Sequence, residues 1–147
     1  MEPPWEILRK TLSREDIYAL KDAARASTLL HPESGLLPQI ILILALNETF
    51  RLDELVRLRV ENVDLSRKQP KIWVENPGGT SKRMVTISRD LRELLVEFIR
   101  WKKAVCPRTT PDLDYLFTDR SGKRLDAGSL EAFLARLVSE AEIRKNS

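Results

Sequence analysis

Cysteine and histidine each occur once in the 147 residues, as Cys106 and His31. A lone cysteine excludes an internal disulfide, and one of each leaves too few ligands for a dedicated zinc site. His31 sits beside Pro32 and reads as a loop residue rather than a catalytic one. Tyrosine occurs twice, as Tyr18 and Tyr115. Long apolar runs are also missing. The longest, residues 36–46, falls far short of the roughly 20 residues that span a bilayer, so no membrane partner is expected. The start, MEPPWEILRK, lacks the apolar core of a signal peptide, which makes the cytoplasm the expected location. No metal and no cofactor is expected.

What is present describes one soluble globular domain over residues 1–147, with residues 1–11 as a lead-in segment. Hydrophobic residues make up 42% of the chain and charged ones 32%, more charge than average. The formal net charge is +3 but unevenly placed. Residues 1–56 carry six basic and nine acidic side chains, residues 57–108 carry 13 and six, and residues 109–147 carry six and seven. A basic middle between mildly acidic ends fits a local surface for a polyanion. It fits equally well a set of arginines and lysines that solvate helix faces.

Ser13 followed by Asp16 is a helix start: the hydroxyl caps a free N–H and the carboxylate reaches back. Ile17, Leu20 and Ala24 follow at helical spacing. Residues 36–47 are apolar nearly all round, which predicts a buried central helix with Pro38 tolerated in its first turn. Asn47 to Phe50 ends it and delivers Arg51. Asp53 then caps, or lies in the first turn of, a helix carrying Leu52, Leu55, Val56 and Leu58.

Residues 71–75 (KIWVE) alternate as a strand does, and residues 82–88 (KRMVTIS) form the return strand of a β-hairpin. Residues 89–105 read as an amphipathic helix with Leu91, Leu94, Leu95, Phe98, Lys102 and Val105 on one side. Residues 115–125 read as a short strand-turn-strand. Asp126 caps a last helix with Leu130, Phe133, Leu134, Leu137 and Val138 inward. The expected fold is α+β and mainly helical, with a small antiparallel sheet at one edge.

This order of elements resembles the catalytic domain of the tyrosine recombinases, the phage integrases among them. The resemblance begins at LSRED (residues 12–16) and continues through ALNETFRLDELVRLRVENVDL. It runs on through the hairpin, the helix after it, the LFTDRSGKRL segment and the final AEI, and so covers about residues 11–143. It implies that Arg51 stands at the first catalytic arginine of the family. Strand cleavage by a tyrosine passes through a state with extra negative charge on the non-bridging phosphate oxygens. A planar guanidinium binds two such oxygens at once and stays charged at any working pH. The other reading of Arg51 is a side chain that caps carbonyls at the end of helix 36–47, or pairs with Glu48 or Glu54.

The resemblance also implies a lysine in the hairpin turn as general acid. Gly78 occupies that position, and Lys82, four residues later, is the nearest substitute. Thr80, Ser81, Lys82 and Arg83 form the expected backbone contact to DNA together with Arg51. Thr49 replaces the glycine that the family carries before the arginine block. The family's His-x-x-Arg motif and nucleophilic tyrosine fall beyond residue 147, and neither Tyr18 nor Tyr115 matches the nucleophile. The chain is thus expected to be a truncated recombinase domain, catalytically incomplete alone. Three functions follow as expectations. One is a DNA-binding module related to recombination and integration. The second is half of a recombinase completed by another chain. The third is a protein-interaction module that keeps the fold without binding DNA. Truncation is also expected to leave apolar surface open on helix 36–47 or 127–142, to be covered by a second copy or a full-length recombinase.

Overall fold

The computed structural model describes residues 4–30, 36–47, 49–76, 79, 81–106, 108–109, 111–112, 114–119 and 121–143, with the backbone alone for residues 28–30. His31, Glu48, Gly78 and Thr80 lie outside the described residues. The chain divides into two compact units, residues 1–52 with 126–147, and residues 53–125.

The first unit is helical. Two of its helices begin where a capping side chain satisfies a free N–H group of the first turn. Helix α1 (Trp5–Leu8) runs into a 3-10 turn at Arg9–Thr11. Helix α2 (Arg14–Leu30) opens with the expected capping box: the Asp16 N–H donates to Ser13 Oγ at 3.1 Å and the Ser13 N–H to Asp16 Oδ2 at 2.9 Å. Leu20, Ala24 and Ser27 are its buried positions, spaced one turn apart. Helix α3 (Leu37–Leu46) carries Pro38 in its first turn.

Helix α6 (Ala127–Glu140) starts at Asp126, whose Oδ1 accepts from the Ser129 N–H at 2.7 Å. It buries Leu130, Leu134, Leu137 and Val138. A cap of this kind contributes about 1 kcal/mol. Each buried leucine contributes roughly 1.5–3 kcal/mol, so packing holds the helix and the cap fixes where it begins.

Two expectations change here. Helix α3 is not buried all round. Pro38, Ile40, Ile41, Leu42, Leu44 and Ala45 are buried, while Leu37, Gln39, Ile43 and Leu46 stay partly accessible. Nor does a large apolar side chain lie open on α3 or α6. Among the described residues those that are exposed are Ile7, Tyr18, Trp73 and Met84. The lead-in segment supplies part of the cover. Trp5 is buried, its indole Nε1 donates to the Ala45 carbonyl at 3.0 Å, and its backbone N–H meets the Glu131 carboxylate at 3.1 and 3.2 Å.

Helix α4 (Leu52–Leu55) bridges the boundary, with Asp53 and Glu54 in its first turn. The second unit is then built on a sheet with three strands among the described residues, β1 (Val63–Asp64), β2 (Lys71–Glu75) and β3 (Lys82–Thr86), in that order and antiparallel. The register pairs Asp64 with Lys71, Lys71 with Thr86, and Trp73 with Met84. Alternation buries Ile72 and Val74 on one face and leaves Trp73 and Met84 exposed on the other.

Helix α5 (Arg89–Val105) has the predicted limits, with Ser88 Oγ accepting from the Leu91 N–H at 3.1 Å. Leu91, Leu95, Phe98, Ile99 and Lys102 are buried on it. The Phe98 ring lies against Trp101 and Phe117, with centroids 5.8 and 6.3 Å away. The strand-turn-strand expected at residues 115–125 reduces to isolated bridges, Arg59 with Tyr115 and Thr118 with Arg124.

Candidate nucleic-acid interface

Arg51 lies between helices α3 and α4, outside both, and its residue is exposed. Its neighbours Phe50 and Leu52 are both buried. The turn before it is closed by Asn47, whose side-chain oxygen accepts from the Thr49 N–H at 2.9 Å and the Thr49 hydroxyl at 2.7 Å. Its carbonyl accepts from the Phe50 N–H at 3.1 Å. Thr49 thus has a local role of its own where the resemblance implies glycine. Two buried side chains flanking one exposed arginine fix the backbone that carries the guanidinium, and so lower the entropy it loses on binding an anion.

At the tip of the hairpin β2–β3, the Asn76 N–H donates to the Ser81 carbonyl and the Gly79 N–H to the Asn76 carbonyl, both at 2.9 Å. Gly79 has φ +69°, and a Cβ there would meet nothing within 4 Å. Glycine is needed for the left-handed backbone rather than for space. Ser81 is exposed and its hydroxyl accepts from the Asn76 amide. Lys82 is exposed and pairs with Glu75 at 3.7 Å, with both side chains about half accessible. Such pairs contribute about 0–1 kcal/mol, so little holds the ammonium away from another anion.

Arg83 differs from its neighbours. Its Nη1 and Nη2 donate to the two oxygens of Glu54 at 2.7 and 2.9 Å. The Glu54 side chain is 7% accessible. This hydrogen bonding, with the charge of Glu54, holds the Arg83 guanidinium above its ordinary pKa, against the pull of burial. Arg83 was expected beside Lys82 as a DNA contact. The structure commits both ends of its fork to α4, across 29 residues of sequence. No local pattern signals a pair so far apart.

Further basic side chains, beyond those expected at the interface, are also tied inward. The Arg59 and Arg124 guanidinium carbons lie 4.5 and 4.2 Å from the Tyr115 ring centre, and Arg59 also donates to the Tyr115 hydroxyl at 3.3 Å. Arg124 Nε donates to the Val56 carbonyl at 3.1 Å, and Arg92 Nε to the Leu65 carbonyl at 2.7 Å. Lys102 is buried and its ammonium donates to the Tyr115 carbonyl. Burial pushes its pKa down, opposed by Cys106 and Asp114.

The turn at residues 119–123 is closed by Asp119. Its carboxylate accepts from the Ser121 N–H at 2.9 Å, the Ser121 hydroxyl at 2.6 Å and the Lys123 N–H at 3.0 Å. Burial raises the pKa of Asp119, but these bonds and the Lys123 charge outweigh it and leave the group below the usual carboxylate value. Among the described residues no group of three or more His, Cys, Asp or Glu side chains is placed to hold a metal ion. No described helix is long and apolar enough to cross a membrane.

No curated protein matches this sequence. Among the solved chains that are similar in fold are two recombinases. The XerA recombinase is 24% identical with a TM-score of 0.72, over 92% of this chain and 44% of its own. The XerH site-specific recombinase bound to palindromic difH substrate, a post-cleavage complex, is 18% identical with a TM-score of 0.71, over 92% and 37%. The chain thus spans less than half the length of either recombinase. The mainly helical architecture with its small antiparallel sheet is that of the tyrosine recombinase catalytic domain. The profile of the phage integrase family matches residues 10–147. With nearly the whole sequence and the order of its elements in agreement, this chain belongs to the phage integrase family.

Proposed function

We propose that this chain is a DNA-binding part of an integrase catalytic domain that does not cleave DNA by itself. Arg51 and Lys82 are its phosphate-binding side chains, and Ser81 supplies a hydroxyl contact at the hairpin tip. Thr80 belongs to the same tip by sequence but lies outside the described residues. Arg83 acts through Glu54, as the side chain that fixes the hairpin strand to α4. The observation that carries the reading is the family match over residues 10–147. On that footing we read Arg51, exposed between buried Phe50 and Leu52, as the counterpart of a phosphate-binding arginine. The XerH recombinase has been solved on its difH substrate both before and after cleavage, which supports nucleic acid as the partner here. Cleavage needs a nucleophile and proton-transfer groups as well as an arginine. Neither Tyr18 nor Tyr115 stands at the family's nucleophile position, and Tyr115 is engaged with Arg59 and Arg124.

The test is binding to labelled duplex DNA, followed by fluorescence anisotropy as salt is raised. Affinity is expected to fall steeply, because each neutralised phosphate adds about 0.9 to the slope of log K against log salt. A covalent protein–DNA adduct on a nicked substrate would overturn the inactive reading. No binding at low salt would overturn the DNA reading and favour a protein-interaction module.

A further inference from the structure

We propose that the end of the sheet away from the hairpin tip carries a second contact for nucleic-acid phosphates, made by Arg67 and Arg89 and braced by Arg92. The inference rests on the DNA-binding reading above. The register puts the β1–β2 turn and the β3–α5 junction at one end of the sheet, since Asp64, Lys71 and Thr86 are paired in a row. Arg67 lies in that turn, and Arg89 is the first residue of α5. Arg92, one turn further along α5, locks the two together by donating Nε to the Leu65 carbonyl at 2.7 Å, while Nη1 pairs with Glu93 at 2.6 Å. The three arginines and Glu93 line an open concavity of about 340 Å³.

The electrostatics point outward. Three guanidiniums face one carboxylate, and that carboxylate is already bonded to Arg92. Arg67 and Arg89 are both exposed, and among the described residues neither side chain has a hydrogen bond or an ion pair. The 17-residue helix α5 begins at this place, and its dipole adds partial positive charge there. Three like charges gathered round one carboxylate, which Arg92 already holds, are relieved by an external anion, and a planar fork is suited to phosphate oxygens.

Scale favours a polymer. A five-residue strand is roughly 17 Å long, and phosphates along one DNA strand advance about 3.4 Å each. A duplex with its axis along the strands would therefore advance about five base pairs over that length, so one duplex reaches both ends of the sheet.

The test uses the whole chain, duplex DNA and the doubly substituted Arg67→Gln, Arg89→Gln variant. Both side chains are exposed, so the fold should survive, and a circular dichroism melt checks this. Arg14→Gln with Arg136→Gln removes the same charge from exposed positions of the helical unit. The Arg67, Arg89 variant should lower the salt slope by about 2, and so shrink the affinity loss between 50 and 200 mM salt about tenfold. The control pair should leave the slope unchanged. An unchanged slope in a folded Arg67, Arg89 variant, while Arg51→Ala weakens binding, overturns this inference alone. An equal drop in the control pair overturns it too, because net charge would then be the cause. No DNA binding by the parent overturns both readings. If inorganic phosphate perturbs the arginine Nε–H resonances while the DNA slope does not change, the surface holds small anions and the nucleic-acid contact is refuted.

Discussion

The two units of the chain use basic residues in opposite ways. In the helical unit the buried side chains are mostly apolar, and polar side chains fix the helix starts, as in Ser13 with Asp16 and Asp126 with Ser129. In the sheet unit arginine and lysine are part of the framework. Arg59, Arg83, Arg92, Lys102 and Arg124 each bond a backbone carbonyl, a carboxylate or an aromatic ring of the same unit. The excess of basic residues in the middle of the sequence is therefore two populations. One is structural, and the other, Lys82, Arg67 and Arg89 among it, faces outward. Charge counting cannot separate them. Geometry can, because a strut is held by buried or backbone partners, whereas Lys82 meets only a half-accessible carboxylate and Arg67 and Arg89 are exposed.

The contrast can be broken most severely in the helical unit. Ile40 is fully buried there, so Ile40→Ala should destabilise the protein by about 2–5 kcal/mol through lost transfer energy and a cavity. Urea denaturation measures it, and a cost below 1 kcal/mol would mean that the apolar interior is not what holds this unit.

Next in size is the strut between hairpin and α4. Arg83→Ala removes the two-pronged hydrogen bonding to the buried Glu54 carboxylate. The expected cost is about 3 kcal/mol, the lower end for an orphaned buried charge, because the Arg83 side chain is 35% accessible. The Arg83→Met, Glu54→Leu double substitution should recover much of that loss, which a double-mutant cycle reads directly. A single-variant cost no larger than that of a surface pair would place Arg83 with the outward group instead.

A smaller effect sharpens the role of Lys102. Its folded-state pKa lies below the ordinary 10.5 because of burial. The unfolded chain therefore holds this proton more tightly than the folded one. Stability is penalised while native Lys102 is charged, and the penalty is relieved as pH rises from its lowered pKa towards 10.5. Lys102→Met should remove that alkaline rise. Parallel stability profiles for parent and variant, from urea titrations at a series of alkaline pH values, would contradict it.

Much of the framework was legible because it is local. Helix α5 spans Arg89–Val105 as its apolar spacing predicts, and the caps at Ser13 and Asp126 lie where their side chains require. Lys102 was visible as a polar residue on the inward side of α5, but its partner at Tyr115 was not. Strand β1 escaped notice because two residues carry no alternation, and Val63–Asp64 is a strand by virtue of pairing with Ile72 and Lys71. The Glu54–Arg83 and Trp5–Glu131 bonds join residues 29 and 126 positions apart, and nothing in a single sequence couples them. For the interface the residue types were legible, and the division between struts and contacts was not.

That division meets its most direct test at Arg51. Duplex DNA affinity and thermal melting should be measured together for the parent, Arg51→Ala and Arg83→Ala. Loss of one phosphate contact at Arg51 should lower the salt slope by about 0.9 and weaken binding in a protein that stays folded, whereas Arg83→Ala should lower the melting temperature. Unaltered DNA affinity in a folded Arg51→Ala protein would contradict the account.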